Sequence, residues 1–118
     1  MEIYGIKVEF ARTVKSNAML AELCPDHDIK RFGDLMTGNA YWINIPKVME
    51  IMQNGAEDKK RFEAAQMGQT YEPQYLTAEH FSYLDAFQLN QLSNECYEAF
   101  VGDGRQTVET KEKAGKKT

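Results

Sequence analysis

Apolar and polar residues alternate at the start of the chain. A period of two residues is typical of a strand with one buried face, so we predict a strand over Ile3–Phe10. A lone strand is not stable. Its partner is therefore a hairpin arm near residues 3–5, the segment at residues 41–43, or another subunit. The residues predicted on the buried face are Tyr4, Ile6, Val8 and Phe10.

The chain from residue 16 to residue 39 has a helical pattern. Ser16 is a predicted N-cap for a short helix that Pro25 ends. Asp26 or Asp28 caps the next helix, which stops at Thr37-Gly38-Asn39. Apolar residues recur about one turn apart in these two helices: Met19, Leu20, Leu23 and Cys24 in the first, and Ile29, Phe32, Leu35 and Met36 in the second.

A third helix is predicted to begin at Asn44, with Pro46 in its first turn. Asn54-Gly55 is the predicted end of this helix. The stretch Ala56–Met67 is helix-forming but polar, so we expect it to lie on the surface or be loosely held, with Phe62 and its alanines as anchors. Whether this stretch is an ordered helix stays open. The apolar face of the third helix carries Ile45, Val48, Met49 and Met52.

Thr77 and Asp85 are both predicted N-caps. Each follows a leucine and precedes an apolar residue four positions on, which is the spacing of a hydrophobic staple. We therefore predict two helices that meet at a bend near Leu84–Asp85, the second of which ends at Gly102. The apolar face of the second helix carries Leu89, Leu92, Cys96 and Phe100.

The predicted elements give a fold that is mainly α, with a short N-terminal β element (α+β at most). The composition fits one domain. The chain has 118 residues, of which 42% are hydrophobic, and a net charge of −4. We expect residues 1–101 to form this domain. Residues 102–118 carry five Lys and Arg against three Asp and Glu, and Val108 is their only large apolar residue. We predict that this tail is disordered and solvated.

The charge balance, the apolar runs and the cysteine count also exclude several classes of protein. An acidic domain is a poor nucleic-acid binder, because phosphate binding needs a basic face. No apolar run in the sequence approaches the ~20 residues that cross a bilayer, and the first residues lack a secretory signal. Two cysteines are too few for a disulfide framework. We expect a cytoplasmic protein that binds neither nucleic acid nor membrane.

Candidate catalytic chemistry is sparse. The P-loop, the dinucleotide fingerprint and the common hydrolase motifs do not occur in the sequence. Cys24, His27, His80 and Cys96 are candidates for a metal site, and Cys96 with His80 for a nucleophilic pair. A turn at residues 24–28 and two buried thiols explain these residues better. We therefore expect no catalytic residue, no metal and no cofactor.

Four sequence segments resemble one protein family when taken in order. They are the alternating strand, KSNAMLAEL at 15–23, NIPKVMEIM at 44–52 and YLTAEHFSYLD at 75–85, followed by a final helix and a Lys-ending tail. This order resembles the tail assembly chaperones of long-tailed bacteriophages and prophages. The resemblance covers nearly the whole chain.

The resemblance implies a protein without enzymatic activity in the bacterial host cytoplasm. Such proteins bind the tape measure protein and keep it soluble until the tail tube protein polymerises around it. Many are made in two lengths by ribosomal frameshifting, for which Gly115-Lys116-Lys117 has the expected position. The alternative is a small helical adaptor or regulator with another protein partner. An enzyme that uses Cys96, and then a DNA-binding protein, rank below these two.

Two surfaces are candidates for these contacts. Packing in the core is the favoured role of Met49 and Met52, but methionine also suits an adaptable apolar groove. The predicted partner-binding residues are Trp42, Val48, Met49 and Met52. An unpaired N-terminal strand favours a homo-oligomer, with Tyr4, Ile6 and Val8 as the predicted self-association residues.

Overall fold

A computed structural model shows a mainly helical chain with a two-stranded antiparallel sheet at its start, as the sequence predicts. The structure describes the backbone of residues 1–117 and the side chains of residues 1–102. Apart from Gly102, residues 102–118 lie outside the residues whose side chains the structure describes. Their predicted disorder therefore stays a prediction. The elements are β1 (Glu2–Ile3), β2 (Ile6–Lys7), α1 (Val14–Leu23), a 3-10 turn (Pro25–His27), a 3-10 helix (Ile29–Met36), α2 (Tyr41–Gln66), α3 (Ala78–Ser82) and α4 (Ala86–Lys117).

The predicted N-terminal strand is a short hairpin. Ile3 pairs with Ile6. Of the three pairing partners considered for the N-terminal strand, the structure therefore shows the hairpin arm. The chain turns at Tyr4 and Gly5, whose φ angles are 52° and 74°, and positive φ at both turn residues suits the twist of a hairpin. The predicted continuous strand over Ile3–Phe10 is therefore wrong. Tyr4, predicted as buried, is exposed in the turn.

Helix α1 begins earlier than predicted, because Thr13 is its N-cap. The Oγ1 atom of Thr13 accepts a hydrogen bond from the backbone N–H of Ser16 at 3.0 Å. In return, Ser16 Oγ accepts from the N–H of Thr13 at 2.6 Å. Ser16 thus completes a capping box from inside the helix instead of capping it. Pro25 follows soon after the end of α1, as predicted.

Helix α2 differs most from the prediction, because it is one continuous helix of 26 residues. It begins at Tyr41 instead of Asn44 and passes through Gly55, the predicted end. A glycine that ends a helix adopts a left-handed φ, which Gly55 does not have. Gly68, with φ of 71°, lies just after the actual end. The stretch after Gly55 is therefore an ordered part of α2 as far as Gln66.

Both predicted caps before the last two helices are confirmed. His80 Nδ1 accepts from the N–H of Thr77 at 3.0 Å, and Thr77 in turn caps α3. Asp85 Oδ1 accepts from the N–H of Gln88 at 2.8 Å, at the start of α4. The predicted bend between the two helices is therefore present. The predicted end at Gly102 is wrong: Gly102 has no left-handed φ, and the helix passes through it.

The described part of the chain packs around α2. Phe32 stacks on Phe100 with ring centroids 3.8 Å apart, which joins the 3-10 helix to α4. The guanidinium of Arg12 lies 3.8 Å from the centroid of the Phe100 ring on this stack. Among the described residues no helix is both long enough and apolar enough to cross a membrane. The buried core includes Ile3, Val8, Leu20, Phe32, Leu35, Ile45, Val48, Met49, Met52, Leu76, Phe81, Leu89, Leu92, Cys96 and Phe100.

Candidate protein-binding groove

The residues predicted to bind a partner lie mostly inside the protein. Val48, Met49 and Met52 have no exposed surface, so the prediction that they line a groove is wrong. The elements packed around α2 cover this face, and core packing is the use that these side chains have. Trp42 is exposed over 52% of its surface and lies edge-on to Tyr41, with ring centroids 5.0 Å apart.

The three predicted self-association residues differ in accessibility. The strand that was expected to be unpaired is paired within the hairpin. Val8 is buried in the core, so a second copy cannot reach its side chain. Tyr4 is exposed, Ile6 is half-buried, and the hydroxyl of Tyr4 donates to the backbone carbonyl of His80 at 2.7 Å. Self-association through Tyr4 and Ile6 stays a prediction.

The polar cluster at residues 24–28 forms a turn. Asp28 caps the following 3-10 helix by accepting from the backbone N–H of Lys30 at 3.0 Å. Arg31 bridges Asp26 at 2.9 Å and Asp34 at 3.1 Å. Within the side chains that the structure describes, no group of three or more His, Cys, Asp or Glu is placed to hold a metal ion.

Cys24 and Cys96 are free thiols, and both are buried. Burial raises the pKa of each thiol above its ordinary value. At neutral pH this leaves a small fraction of thiolate, which is the nucleophilic form. His80 is exposed and its Nδ1 is held in the cap of α3. Burial therefore keeps Cys96 in its thiol form, which is not the form that a nucleophilic pair needs.

An open groove of about 770 Å³ lies between α1 and α2. Its most buried lining side chain is Ser16, and its most buried apolar one is Ile51. Two apolar side chains on its borders are exposed, Met19 on α1 over 47% of its surface and Phe62 on α2 over 59%. We call it the α1–α2 groove. It is lined by Thr13, Lys15, Ser16, Met19, Ile51, Asn54, Gly55, Asp58, Lys59, Arg61, Phe62 and Tyr75.

The end of the groove near Gly55 is formed by a close approach of two chain segments. The backbone N–H of Ala11 donates to the carbonyl of Met52 on α2 at 3.1 Å. A Cβ atom at Gly55 would lie 3.0 Å from the carbonyl oxygen of Ala11 and 3.3 Å from the Cβ of Ser16. Glycine at this position therefore lets α1 and the segment before it approach α2.

Gln53 holds the irregular segment at residues 69–77 against α2. Its Oε1 atom accepts from the N–H of Leu76 at 2.9 Å, and its Nε2 donates to the carbonyl of Gln74 at 2.8 Å. One turn earlier on α2, Glu50 accepts from the N–H of Ala78 at 2.9 Å. These bonds satisfy backbone groups that have no strand or helix partner, and they hold Tyr75 at the groove.

Glu57 continues this contact one turn further along α2. Its buried carboxylate accepts from the N–H of Gln74 at 2.9 Å and from the hydroxyl of Tyr71 at 2.8 Å. That hydrogen bond raises the pKa of Tyr71. Lys60 binds both Glu57 and Glu9, and its hydrogen bond to Glu9 is the main cause that raises the pKa of Lys60.

The charged groups around the α1–α2 groove are mostly positive, with three cationic side chains and one carboxylate. The carboxylate of Asp58 is engaged: it lies 3.9 Å from Lys15 Nζ and 3.8 Å from Arg61 Nε. It also accepts a hydrogen bond from the hydroxyl of Tyr75, which raises the pKa of Tyr75. Lys59 is exposed and forms no ion pair with a described residue.

Asn54 also lines the groove. Its Oδ1 atom is buried and has no hydrogen-bond partner among the described residues. Most buried acceptors in proteins are satisfied, and an unsatisfied one costs about 1–3 kcal/mol.

Sequence reasoning missed this groove. It placed Met19 among the apolar residues of its helix and treated Phe62 as an anchor, yet both side chains are about half exposed. The available signal was Phe62 itself, because a large apolar residue in a polar helical stretch needs an apolar contact of some kind. Comparison with known proteins finds no match, whether to a family model, a curated protein or a solved structure.

Proposed function

We propose that the protein is a non-enzymatic tail assembly chaperone of a bacteriophage or prophage. It binds the tape measure protein in the host cytoplasm and keeps it soluble until the tail tube protein assembles around it. The observation that carries this proposal is the α1–α2 groove, with the apolar side chains of Met19 and Phe62 exposed at its borders. The resemblance of the ordered sequence segments to this family supports the same function.

The chemistry of the groove favours binding. A chaperone for a long protein must accept apolar stretches of different shapes, and the unbranched thioether of Met19 adapts to them. An amphipathic helix of the tape measure protein can place its apolar face between Met19 and Phe62, which is the helix-in-groove mode of recognition.

Co-expression in bacteria tests the proposal. The tape measure protein encoded in the same genome is produced alone, with the wild-type protein, or with Phe62→Asp. The measured quantity is its soluble fraction on an immunoblot. We expect the wild type to raise this fraction and Phe62→Asp to lower it again, because a charge in the groove opposes apolar contact.

The matched control is Phe87→Asp, since Phe87 is an exposed phenylalanine on α4 outside the groove. It should act as the wild type does. A soluble fraction that the wild type leaves unchanged would contradict the chaperone function. A second co-expression, with the tail tube protein of the same genome, measures by co-purification whether it is also a partner.

A further inference from the structure

We infer that the α1–α2 groove selects an acidic, apolar segment of its protein partner. Such a segment places an apolar side chain between Met19 and Phe62 and sets a carboxylate beside Lys59. This inference rests on the proposed protein-binding function and specifies the chemistry of the partner. Two features of the groove carry it.

The first feature is the apolar border. Met19 on α1 and Phe62 on α2 are both about half exposed, and the groove they border has a volume of about 770 Å³. This volume lies in the range of sites that take up organic ligands and side chains. Aromatic and methionine side chains are enriched where proteins bind one another. An apolar side chain of a partner that packs between Met19 and Phe62 removes both of these side chains from water.

The second feature is the charge. Lys15 and Arg61 share the carboxylate of Asp58, while Lys59 has no ion pair among the described residues. The groove is thus positive on a chain whose net charge is −4. The chain's own segment at residues 102–118 has more Lys and Arg than Asp and Glu, so its charge does not complement the groove. A separate acidic partner does.

Two synthetic probes test the charge preference on the full-length protein. Each is an amphipathic peptide of about 15 residues with leucines on one helical face. One carries Glu on the other face and its twin carries Lys. Fluorescence anisotropy gives each dissociation constant. We expect the Glu peptide to bind about tenfold more tightly at low salt, and the difference to shrink as salt screens the charges.

Substitutions then locate the binding site. Phe62→Ala should weaken binding of the Glu peptide about tenfold. Lys59→Glu should lower the ratio of the two affinities about fivefold. The matched controls are Phe87→Ala and Lys47→Glu, at exposed positions outside the groove. Both controls should bind like the wild type, with circular dichroism confirming that every variant folds.

Several results would overturn the inference. One is equal affinity for the two peptides. Another is an equal effect of Lys59→Glu and Lys47→Glu on the ratio of the two affinities. A third is a dimer in sedimentation that Phe62→Ala dissociates, since a second copy would then occupy the groove. If overlapping tape measure peptides bind regardless of acidity, the chaperone function stands and this inference fails. If the Glu peptide binds as expected but the tape measure protein stays insoluble, this inference stands and the chaperone function fails.

Discussion

Gln53 accepts a hydrogen bond from the backbone N–H of Leu76 at 2.9 Å, and both residues are almost completely buried. The same side chain donates to the carbonyl of Gln74. One glutamine of α2 thus satisfies two backbone groups of a segment that has no regular structure. This segment carries Tyr75 to the α1–α2 groove.

Replacing Gln53 with leucine leaves the N–H of Leu76 buried without a partner and removes the partner of the Gln74 carbonyl. We expect Gln53→Leu to lower the free energy of unfolding by about 3 kcal/mol, since each unsatisfied group costs about 1–3 kcal/mol. Urea denaturation followed by circular dichroism measures the change. Gln91→Leu, at an exposed position of α4, should stay within about 0.5 kcal/mol of the wild type. Equal effects of the two variants would contradict the role of Gln53.

Gly55→Ala tests the close approach of α1 to α2. Alanine favours a helix by about 1 kcal/mol over glycine, but here its Cβ would press on the carbonyl oxygen of Ala11. That carbonyl belongs to a backbone segment bonded to α2, so we expect a net loss of about 1 kcal/mol in the free energy of unfolding. Gly33→Ala meets open space at a φ that is not left-handed and should not destabilise. A more stable Gly55→Ala would refute the close contact.

Stability should fall at alkaline pH. The hydrogen bond to Glu57 raises the pKa of Tyr71, and the contact with Glu9 raises that of Lys60. Groups with raised pKa values in the folded state stabilise it below their ordinary pKa, about 10 for both types, and lose this effect as pH rises through the folded value. Tyr71→Phe should therefore show a shallower loss of unfolding free energy between about pH 9 and pH 11.

The control for this comparison is Tyr83→Phe, because Tyr83 is exposed and forms no hydrogen bond with a described residue. Its stability should decline with pH as steeply as that of the wild type. Equal slopes for Tyr71→Phe and Tyr83→Phe would mean that the bond to Glu57 does not link stability to pH.

The family resemblance predicts a second, longer form of the protein. The gene with its native downstream DNA and an N-terminal tag should give a minor longer product beside the 13.5 kDa protein. Mass spectrometry of the junction peptide should place the frameshift near Lys116. A single product, with no junction peptide, would argue against a two-length chaperone.

Short-range spacing was enough to predict the caps at Thr77 and Asp85 and the bend between α3 and α4. Cap and staple residues lie within one turn of each other, so their partners are visible in the sequence. The structural role of Gly55 could not be predicted in this way. A glycine after asparagine is typical of a helix end, and only the distant segment around Ala11 makes it a packing contact.

The candidate site could not be predicted for the same reason. The hydrophobic pattern identified the apolar face of α2 that carries Met49 and Met52, but pattern alone does not say whether a neighbour covers that face. The structure covers it and leaves Met19 and Phe62 exposed instead. The groove depends on how α1 lies against α2, which is set by contacts between residues far apart in the sequence.

Hydrogen–deuterium exchange tests most directly whether the tape measure protein occupies the α1–α2 groove. The wild-type protein is compared alone and in complex with the tape measure protein. We predict slower exchange in the complex at residues 15–19 and 51–62, with little change at residues 86–95 of α4. Protection confined to α4 or to the N-terminal hairpin, or no protection anywhere, would contradict the account.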